Sequence, residues 1–120
     1  MTKPLLILIA GPYRSGTDGD PAAIARNLER LEAAAAPIHR RGHIPMIGEW
    51  VALPVLRGLD PADAGEGDVM YDVAARLLQH CDAVLRLPGA STGADTDVTI
   101  ARERGLPVYF SMDEIPTAHG

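Results

Sequence analysis

The stretch Leu85–Phe110 most constrains what this chain can fold into. It begins with apolar residues, passes through a Gly-rich turn, continues with helical spacing of its apolar residues and ends in a second apolar run. This order is typical of a β-α-β unit, in which a helix connects two neighbouring strands of a parallel sheet. We therefore predict a strand over Ala83–Leu87, a helix from about Asp95 to Gly105 and a strand over Pro107–Phe110.

A second apolar run, Leu5–Ala10, is unbroken and is bounded by Pro4 and Gly11. Strands that are covered on both faces, as in parallel sheets, have this pattern. A short strand is also predicted over His43–Ile47. Together these strands and the helices between them predict an α/β fold. We expect one domain over residues 1–120, with a doubly wound parallel sheet of about four to five strands, of the flavodoxin or Rossmann type.

Two further helices are predicted from capping residues and apolar spacing. Asp20 followed by Pro21 is a typical helix start, and apolar residues recur after it at helical spacing. Gly42 stands where this helix would end, and Pro37 predicts a kink within it. The other helix is predicted over roughly Val69–His80, directly before the strand that opens the β-α-β unit.

The segment 48–67 has the least regular pattern in the chain. It is interrupted by prolines and contains the only tryptophan, Trp50. We expect it to form an active-site flap or a contact between subunits, with a short helix near Val51–Leu56. The tail from 113 to 120 is expected to be loose, as chain termini without a predicted element usually are.

Composition and charge narrow the class of protein. The 120 residues are 47% hydrophobic and 22% charged, as in ordinary globular domains. The formal net charge is −5 and no basic run is present, so a nucleic-acid polymer is not expected as a partner. A single cysteine, Cys81, excludes an internal disulfide. The Leu5–Ala10 run is too short to span a membrane and leads into a turn rather than a signal-peptide cleavage site. We therefore expect a cytoplasmic protein without membrane contact.

The Gly-rich turn after Ala83–Leu87 is the predicted binding site. Small polar residues and backbone N–H groups gather there at the start of a helix, where α/β proteins commonly bind anions or phosphorylated ligands. Asp95 and Asp97 lie on the same edge and add carboxylates to the site. Both also have a simpler interpretation, because acidic residues cap helices and stabilise their positive ends. We favour capping for Asp95 and leave both interpretations open for Asp97.

Four pieces of the sequence resemble the nucleoside 2-deoxyribosyltransferase superfamily, in particular its small branch of unknown function. They are AGPYRSG after the first strand, RRGHIPMIGEW around the second, the helix that contains Asp72 and ends in CDAVLRLPG, and STGADTD leading into IARERGLPVYF. These pieces follow one another in the order of the superfamily and span most of the chain. The chain is also similar to the 2′-deoxynucleoside 5′-monophosphate N-glycosidases of that group. The resemblance implies the same α/β fold and chemistry at an N-glycosidic bond.

The resemblance implies three catalytic residues. A carboxylate beneath C1′ of the sugar meets the oxocarbenium-like transition state, either covalently or electrostatically. The superfamily places a Glu there, and this sequence has the shorter Asp97 at the matching position. Tyr13 matches a Tyr that orients the carboxylate, and Asp72 resembles a second acid that holds the sugar hydroxyls or assists the leaving base. The alternatives are a helix cap for Asp97, an ordinary loop aromatic for Tyr13 and a solvated helix residue for Asp72.

The substrate-binding residues are predicted around the same loops. Arg14, Ser15 and Gly16 offer a charge and backbone donors to a 5′-phosphate. Ser91 stands where the nucleotide-hydrolysing branch of the superfamily uses a Ser on the phosphate, and this favours a nucleoside monophosphate. Glu49 and Trp50 are candidates for contact with the base, although a Trp in a Pro-rich segment is more often a packing or interface residue. The complete predicted set is Gly11, Arg14, Ser15, Gly16, Glu49, Trp50, Ser91 and Gly93.

Three functions stay open at the level of sequence. The first is an enzyme that cleaves or transfers the base of a (2′-deoxy)nucleoside or its 5′-monophosphate without a cofactor. The second is a nucleotide-binding module without turnover, in which Asp97 is a vestige or a ligand of a ribose hydroxyl. The third is a nucleotide phosphoribohydrolase, because LPGASTGADTD loosely resembles the PGG-GT-EE loop of those enzymes. No metal site is predicted, since His39, His43 and His80 lack ligand spacing with Cys81. Relatives assemble as dimers or larger, so we expect at least a homodimer.

Overall fold

The fold is built around a parallel sheet of four strands. The computed structural model describes residues 3–60, 62 and 65–118. The strands pair in parallel in the order β2-β1-β3-β4. Their bounds are Leu6–Ala10 for β1, Ile44–Met46 for β2, Ala83–Arg86 for β3 and Val108–Tyr109 for β4. The predicted α/β class and parallel sheet are therefore confirmed.

Helices cover both faces of this sheet. Their bounds are Pro21–Ala33 for α1, Ala35–Arg40 for α2, Gly48–Gly58 for α3, Glu66–Leu78 for α4 and Thr92–Glu103 for α5, followed by a 3-10 turn over Met112–Glu114. Ile7 and Ile9 of β1 pack on the side of α1 and α2, whereas Leu8 and Ala10 pack on the side of α4 and α5. Successive strand residues point to opposite faces, so the unbroken apolar run reflects burial on both. The doubly wound arrangement is confirmed.

The helix predicted to be kinked at Pro37 is two helices, α1 and α2, separated at Ala34. Proline has no N–H to donate to the carbonyl of Ala33 four residues earlier, and its ring crowds that carbonyl. Ala34 keeps a right-handed helical conformation, with φ −76° and ψ −14°, so α2 begins immediately. No loop separates the two helices.

The segment predicted to be irregular contains the helix α3, which has 11 residues and is longer than the expected short helix. Pro54 lies inside α3 and is exposed, although a proline in this position weakens the helix. The helix is stabilised by packing, because Ala52 is buried against Val69 and Val73 of α4. Tertiary contact therefore outweighs the local signal of the proline. Residues 61, 63 and 64 of this segment lie outside the described part of the chain.

The tail expected to be loose is packed as far as residue 118. Ile115 is buried in the core on the α1 and α2 side of the sheet. Nδ1 of the buried His43 accepts the N–H of Leu5 at 2.9 Å, and its Nε2 lies 2.5 Å from the carbonyl oxygen of Pro116, to which it donates. The N–H of Ala118 donates to the carbonyl of Arg41 at 2.7 Å. Residues 119 and 120, also part of the expected tail, lie outside the described residues.

We predict that Gly42→Ala destabilises the fold more than the matched variant Gly105→Ala. Both glycines have positive φ, +90° and +73°, so each alanine incurs a backbone cost of roughly 1–2 kcal/mol. A Cβ at Gly42 would also lie 2.4 Å from the carbonyl oxygen of Ala118, whereas the position at Gly105 is open. Urea unfolding of the two variants checks this prediction. Equal losses of unfolding free energy would mean that the tail does not pack on Gly42 in solution.

Candidate active site

A cavity opens at the carboxyl ends of β1 and β3, the two central strands of the sheet. The chain leaves these neighbouring strands in opposite directions, since β1 leads to β2 on one side and β3 leads to β4 on the other. Ligands of doubly wound proteins bind in the crevice that this divergence creates. The cavity has a volume of about 220 Å³. The predicted site residues that line it are Gly11, Tyr13, Arg14, Ser15, Glu49, Ser91, Gly93 and Asp97.

Three predicted residues do not line this cavity. Gly16 borders a second cavity of about 410 Å³, which shares Ser15 and Ser91 with the first. Trp50 is exposed, and its Nε1–H donates to Oε2 of Glu32 on α1 at 2.8 Å. Asp72 is an exposed residue of α4. These three residues were predicted for the site but do not line the main cavity.

Helix α4 lines the cavity with residues that sequence reasoning missed. They are Gly67, Met70, Tyr71 and Ala74. Consecutive residues of a helix point about 100° apart, so a shift of one position changes the face that a side chain occupies. The sequence resemblance points to the carboxylate of Asp72. The face of α4 that lines the cavity is instead formed by Gly67, Met70 and Ala74, which recur at helical spacing.

The loop after β1 is fixed by two buried polar side chains. Nδ2 of Asn27, on α1, donates to the carbonyl oxygens of Tyr13 at 2.8 Å and of Ser15 at 3.5 Å. The hydroxyl of Thr17 donates to the carbonyl of Arg14 at 2.6 Å. Asn27 and Thr17 are 8% and 5% exposed, and their polar atoms hold the backbone that carries the three cavity residues. Neither side chain was singled out from the sequence.

Helix α5 begins earlier than predicted. Ser91 is the N-cap, and its Oγ accepts the N–H of Ala94 at 3.1 Å. The expectation that Asp95 caps this helix is therefore wrong. Asp95 instead forms an ion pair with Arg86, in which the guanidinium Nη2 lies 2.9 Å from Oδ1. Arg86 also donates to the carbonyls of Leu87 and Gly89 and so ties the Gly-rich turn to the helix.

Two carboxyl groups with raised pKa values face the cavity. Asp97 lies in the second turn of α5, and burial, followed by the nearby Glu49, raises its pKa to about 7, although Arg86 acts in the opposite direction. Burial also raises the pKa of Glu49, against the lowering effect of its own backbone N–H. Carboxyl groups whose pKa values are raised by burial in a cleft are typical of functional sites.

The described residues give no indication of a metal centre or a membrane segment. Within residues 3–60, 62 and 65–118, no three His, Cys, Asp or Glu side chains are grouped so that they could hold a metal ion. No helix in the same part of the chain is both long and apolar enough to cross a membrane.

No protein-family model matches the chain, and no curated protein matches it significantly. The resemblance to the nucleoside 2-deoxyribosyltransferase superfamily therefore stays a prediction from the sequence motifs.

Proposed function

We propose that this protein cleaves or transfers the base of a (2′-deoxy)nucleoside 5′-monophosphate at its N-glycosidic bond. The observation that carries the proposal is the pair of carboxyl groups, Glu49 and Asp97, in one cavity at the carboxyl ends of β1 and β3. Glycoside cleavage uses such a pair, with one carboxylate toward C1′ and one acid toward the leaving group. No bound cofactor is needed for these two steps. Tyr13 lines the same cavity, as the resemblance to the superfamily implies.

The size of the cavity supports a small ligand. Its volume of about 220 Å³ is below the roughly 300–1,000 Å³ of sites for drug-sized molecules. We assign the base and the sugar to this cavity. The second cavity, which adjoins it at Ser15 and Ser91 and is also lined by Arg30, extends the site beyond the sugar. We assign the 5′-phosphate to the boundary between the two.

The surroundings of that boundary support a phosphate. Arg14 and Ser15 line the cavity on one side, and the first turn of α5, with Gly93, lines it on the other. The first amide groups of a helix have no acceptor within the helix, and the helix dipole makes this end attractive to anions. A monophosphate would meet a guanidinium and backbone donors together.

We predict that Arg14→Ala weakens monophosphates more than nucleosides. A hydrogen bond to a charged group contributes about 1.5–3 kcal/mol, so the KM for a monophosphate should rise on the order of 10- to 100-fold. The KM for the corresponding nucleoside should change little. Arg26→Ala, an exposed residue of α1, is the matched control. Steady-state kinetics on both substrates check the prediction, and equal weakening of the two would contradict the assignment of Arg14 to the phosphate.

The proposed function is tested by measuring base release by chromatography. The purified protein is incubated with ribo- and deoxyribonucleosides and with their 5′-monophosphates, each with and without a second free base. Release from the monophosphates supports the proposal, and release only when a free base is added identifies a transferase. Saturable binding without release from any of these compounds contradicts the proposal and indicates a nucleotide-binding module.

A further inference from the structure

The positions of Glu49 and Asp97 on their helices distinguish the roles of the two carboxyl groups. We propose that Glu49 is the carboxylate at C1′ and that Asp97 is the acid that protonates the departing base. This inference rests on the proposed function and reverses the role that the sequence resemblance gives to Asp97. It adds Glu49 to the catalytic residues and places the proton that the base receives on the carboxyl group of Asp97.

Glu49 is placed where a helix stabilises an anion. It is the second residue of α3, whose N-cap, Ile47, has no side chain that accepts from the first turn. The backbone N–H of Glu49 therefore interacts with its own carboxylate, and the positive end of the helix favours the negative charge. The residue is 9% exposed, and among the described residues it takes part in no ion pair. The backbone N–H and the start of α3 thus stabilise its anion.

Asp97 lacks these advantages. It lies in the second turn of α5, beyond the amide groups of the first turn, and the effect of the helix dipole decreases within that distance. Arg86, the cation that lowers the pKa of Asp97, already forms an ion pair with Asp95. When two buried carboxyl groups lie close together, both cannot be ionised at little cost, and the proton resides on the group whose anion is less stabilised. Here that group is Asp97.

The charges around the cavity agree with this assignment. The raised pKa of Asp97, about 7, has burial as its main cause and the Glu49 carboxylate as the second. The other titratable or cationic groups that line the cavity are Tyr13, Arg14 and Tyr71. Cys81 lies between α4 and β3, and burial, followed by Asp82 and more weakly by Asp97, raises the pKa of its thiol to about 11, although Arg104 acts in the opposite direction. That thiol is therefore neutral in the working pH range and adds no charge.

The lengths of the two side chains fit the exchange of roles. Asp97 is one methylene shorter than Glu49. Both side chains line the same cavity, which Glu49 enters from α3. The longer side chain gives the Glu49 carboxylate the greater reach toward C1′.

The proposed steps conserve atoms and charge. The bond between C1′ and the base nitrogen breaks, and its electron pair leaves with the base, which takes the proton of the Asp97 carboxyl group. The Glu49 carboxylate forms an ester with C1′ or stabilises the cation there. Water, or a second base in a transferase, then adds to C1′ and gives its proton to Asp97 while Glu49 regains its electron pair. Both carboxyl groups end as they began.

The inference is tested with a substrate whose base leaves without protonation. The base of 7-methylguanosine 5′-monophosphate already carries a positive charge, so an acid is unnecessary. Asp97→Asn should lower the rate of base release from guanosine 5′-monophosphate roughly 100- to 10,000-fold. On the methylated nucleotide, the rate of base release by this variant should stay within about tenfold of the wild-type rate. Glu49→Gln should be severely impaired on both. The exposed residues Asp68 and Glu29 provide the matched controls Asp68→Asn and Glu29→Gln.

The outcomes separate the two proposals. If Glu49→Gln spares the methylated nucleotide and Asp97→Asn does not, the assigned roles are wrong while the proposed function stands. If the wild type releases no base from these two nucleotides or from any other 5′-monophosphate, the proposed function is wrong, and the catalytic roles with it. Infrared titration gives a readout that does not depend on turnover. The wild type should show a carboxylic acid band that persists toward neutral pH. This band should disappear in Asp97→Asn and should titrate at lower pH in Glu49→Gln. The reverse pattern would overturn the inference.

Discussion

The Asp97→Asn protein is expected to be more stable than the wild type above pH 7 and to lose this advantage as the pH falls toward 4. The folded protein raises the pKa of Asp97 to about 7 from an ordinary value of 3.8. Between these values the folded state holds a proton that the unfolded state has lost, so the stability of the wild type falls as the pH rises. The slope approaches 1.4 kcal/mol per pH unit, or roughly 4 kcal/mol over the whole window.

The measurement is urea unfolding of both proteins at several pH values between about 4 and 8. Asparagine has nearly the same shape and does not ionise, so the difference in unfolding free energy should grow through the window and level off above it. Asp68→Asn, which changes an exposed carboxylate of α4, should show no such growth. A difference that is independent of pH would contradict the burial of an ionisable Asp97. Higher stability with lost turnover would mark Asp97 as a residue retained for function.

The sheet could be predicted from the sequence because its central strands are continuous apolar runs. Leu5–Ala10 and Ala83–Leu87 differ from the observed β1 and β3 by one residue each. Burial on both faces leaves no polar position in such a strand, and few other structures require this pattern. The parallel order then follows from the helices between the strands.

Elements that depend on distant partners could not be predicted in the same way. Helix α3 contains a proline, and only its contact with α4 shows why it forms. The tail is held by His43 and by the carbonyl of Arg41, which are remote in sequence. The start of α5 was misplaced because Ser91 and Asp95 are both good capping residues. Arg86, on a neighbouring strand, engages Asp95 and leaves the cap to Ser91.

The candidate site could be predicted only in part, because only some of its residues belong to local motifs. Its Gly-rich turn and the loop after β1 are local motifs, and they bring Tyr13 and Asp97 to one cavity. The pairing of Glu49 with Asp97 depends on where α3 and α5 lie around the cavity, which no local pattern encodes. Trp50, next to Glu49, is also a sequence candidate for the base, with packing or an interface as its alternative, and its Nε1–H donates to Glu32 of α1. One position along a helix decided which side chain enters the site.

Ile38→Ala is expected to destabilise the protein by about 2–5 kcal/mol, as other large-to-small changes in a core do. Ile38 lies in α2, has no exposed surface and packs in the cluster that contains Ile7, Ile9 and Leu31. The alanine removes the burial of three carbon atoms and leaves a cavity that a close-packed core fills only partly. Ile44→Ala, on the edge strand β2, is the matched control, because the same side chain is 52% exposed there and should contribute far less. Equal losses in the two variants would contradict the packing of α2 on the sheet.

Asp97→Asn and Ile38→Ala can be combined in one protein, because the two residues belong to opposite faces of the sheet. Ile38 belongs to the cluster on the α1 and α2 side, whereas α5, which carries Asp97, packs on the other side through Ala94 and Ala101. Stability effects of separate sites add to within about 0.3–0.5 kcal/mol. Asp97→Asn should therefore restore near pH 8 much of the stability that Ile38→Ala removes, without restoring turnover. A clear departure from additivity in the double variant would mean that the sheet transmits changes in the core to the candidate site.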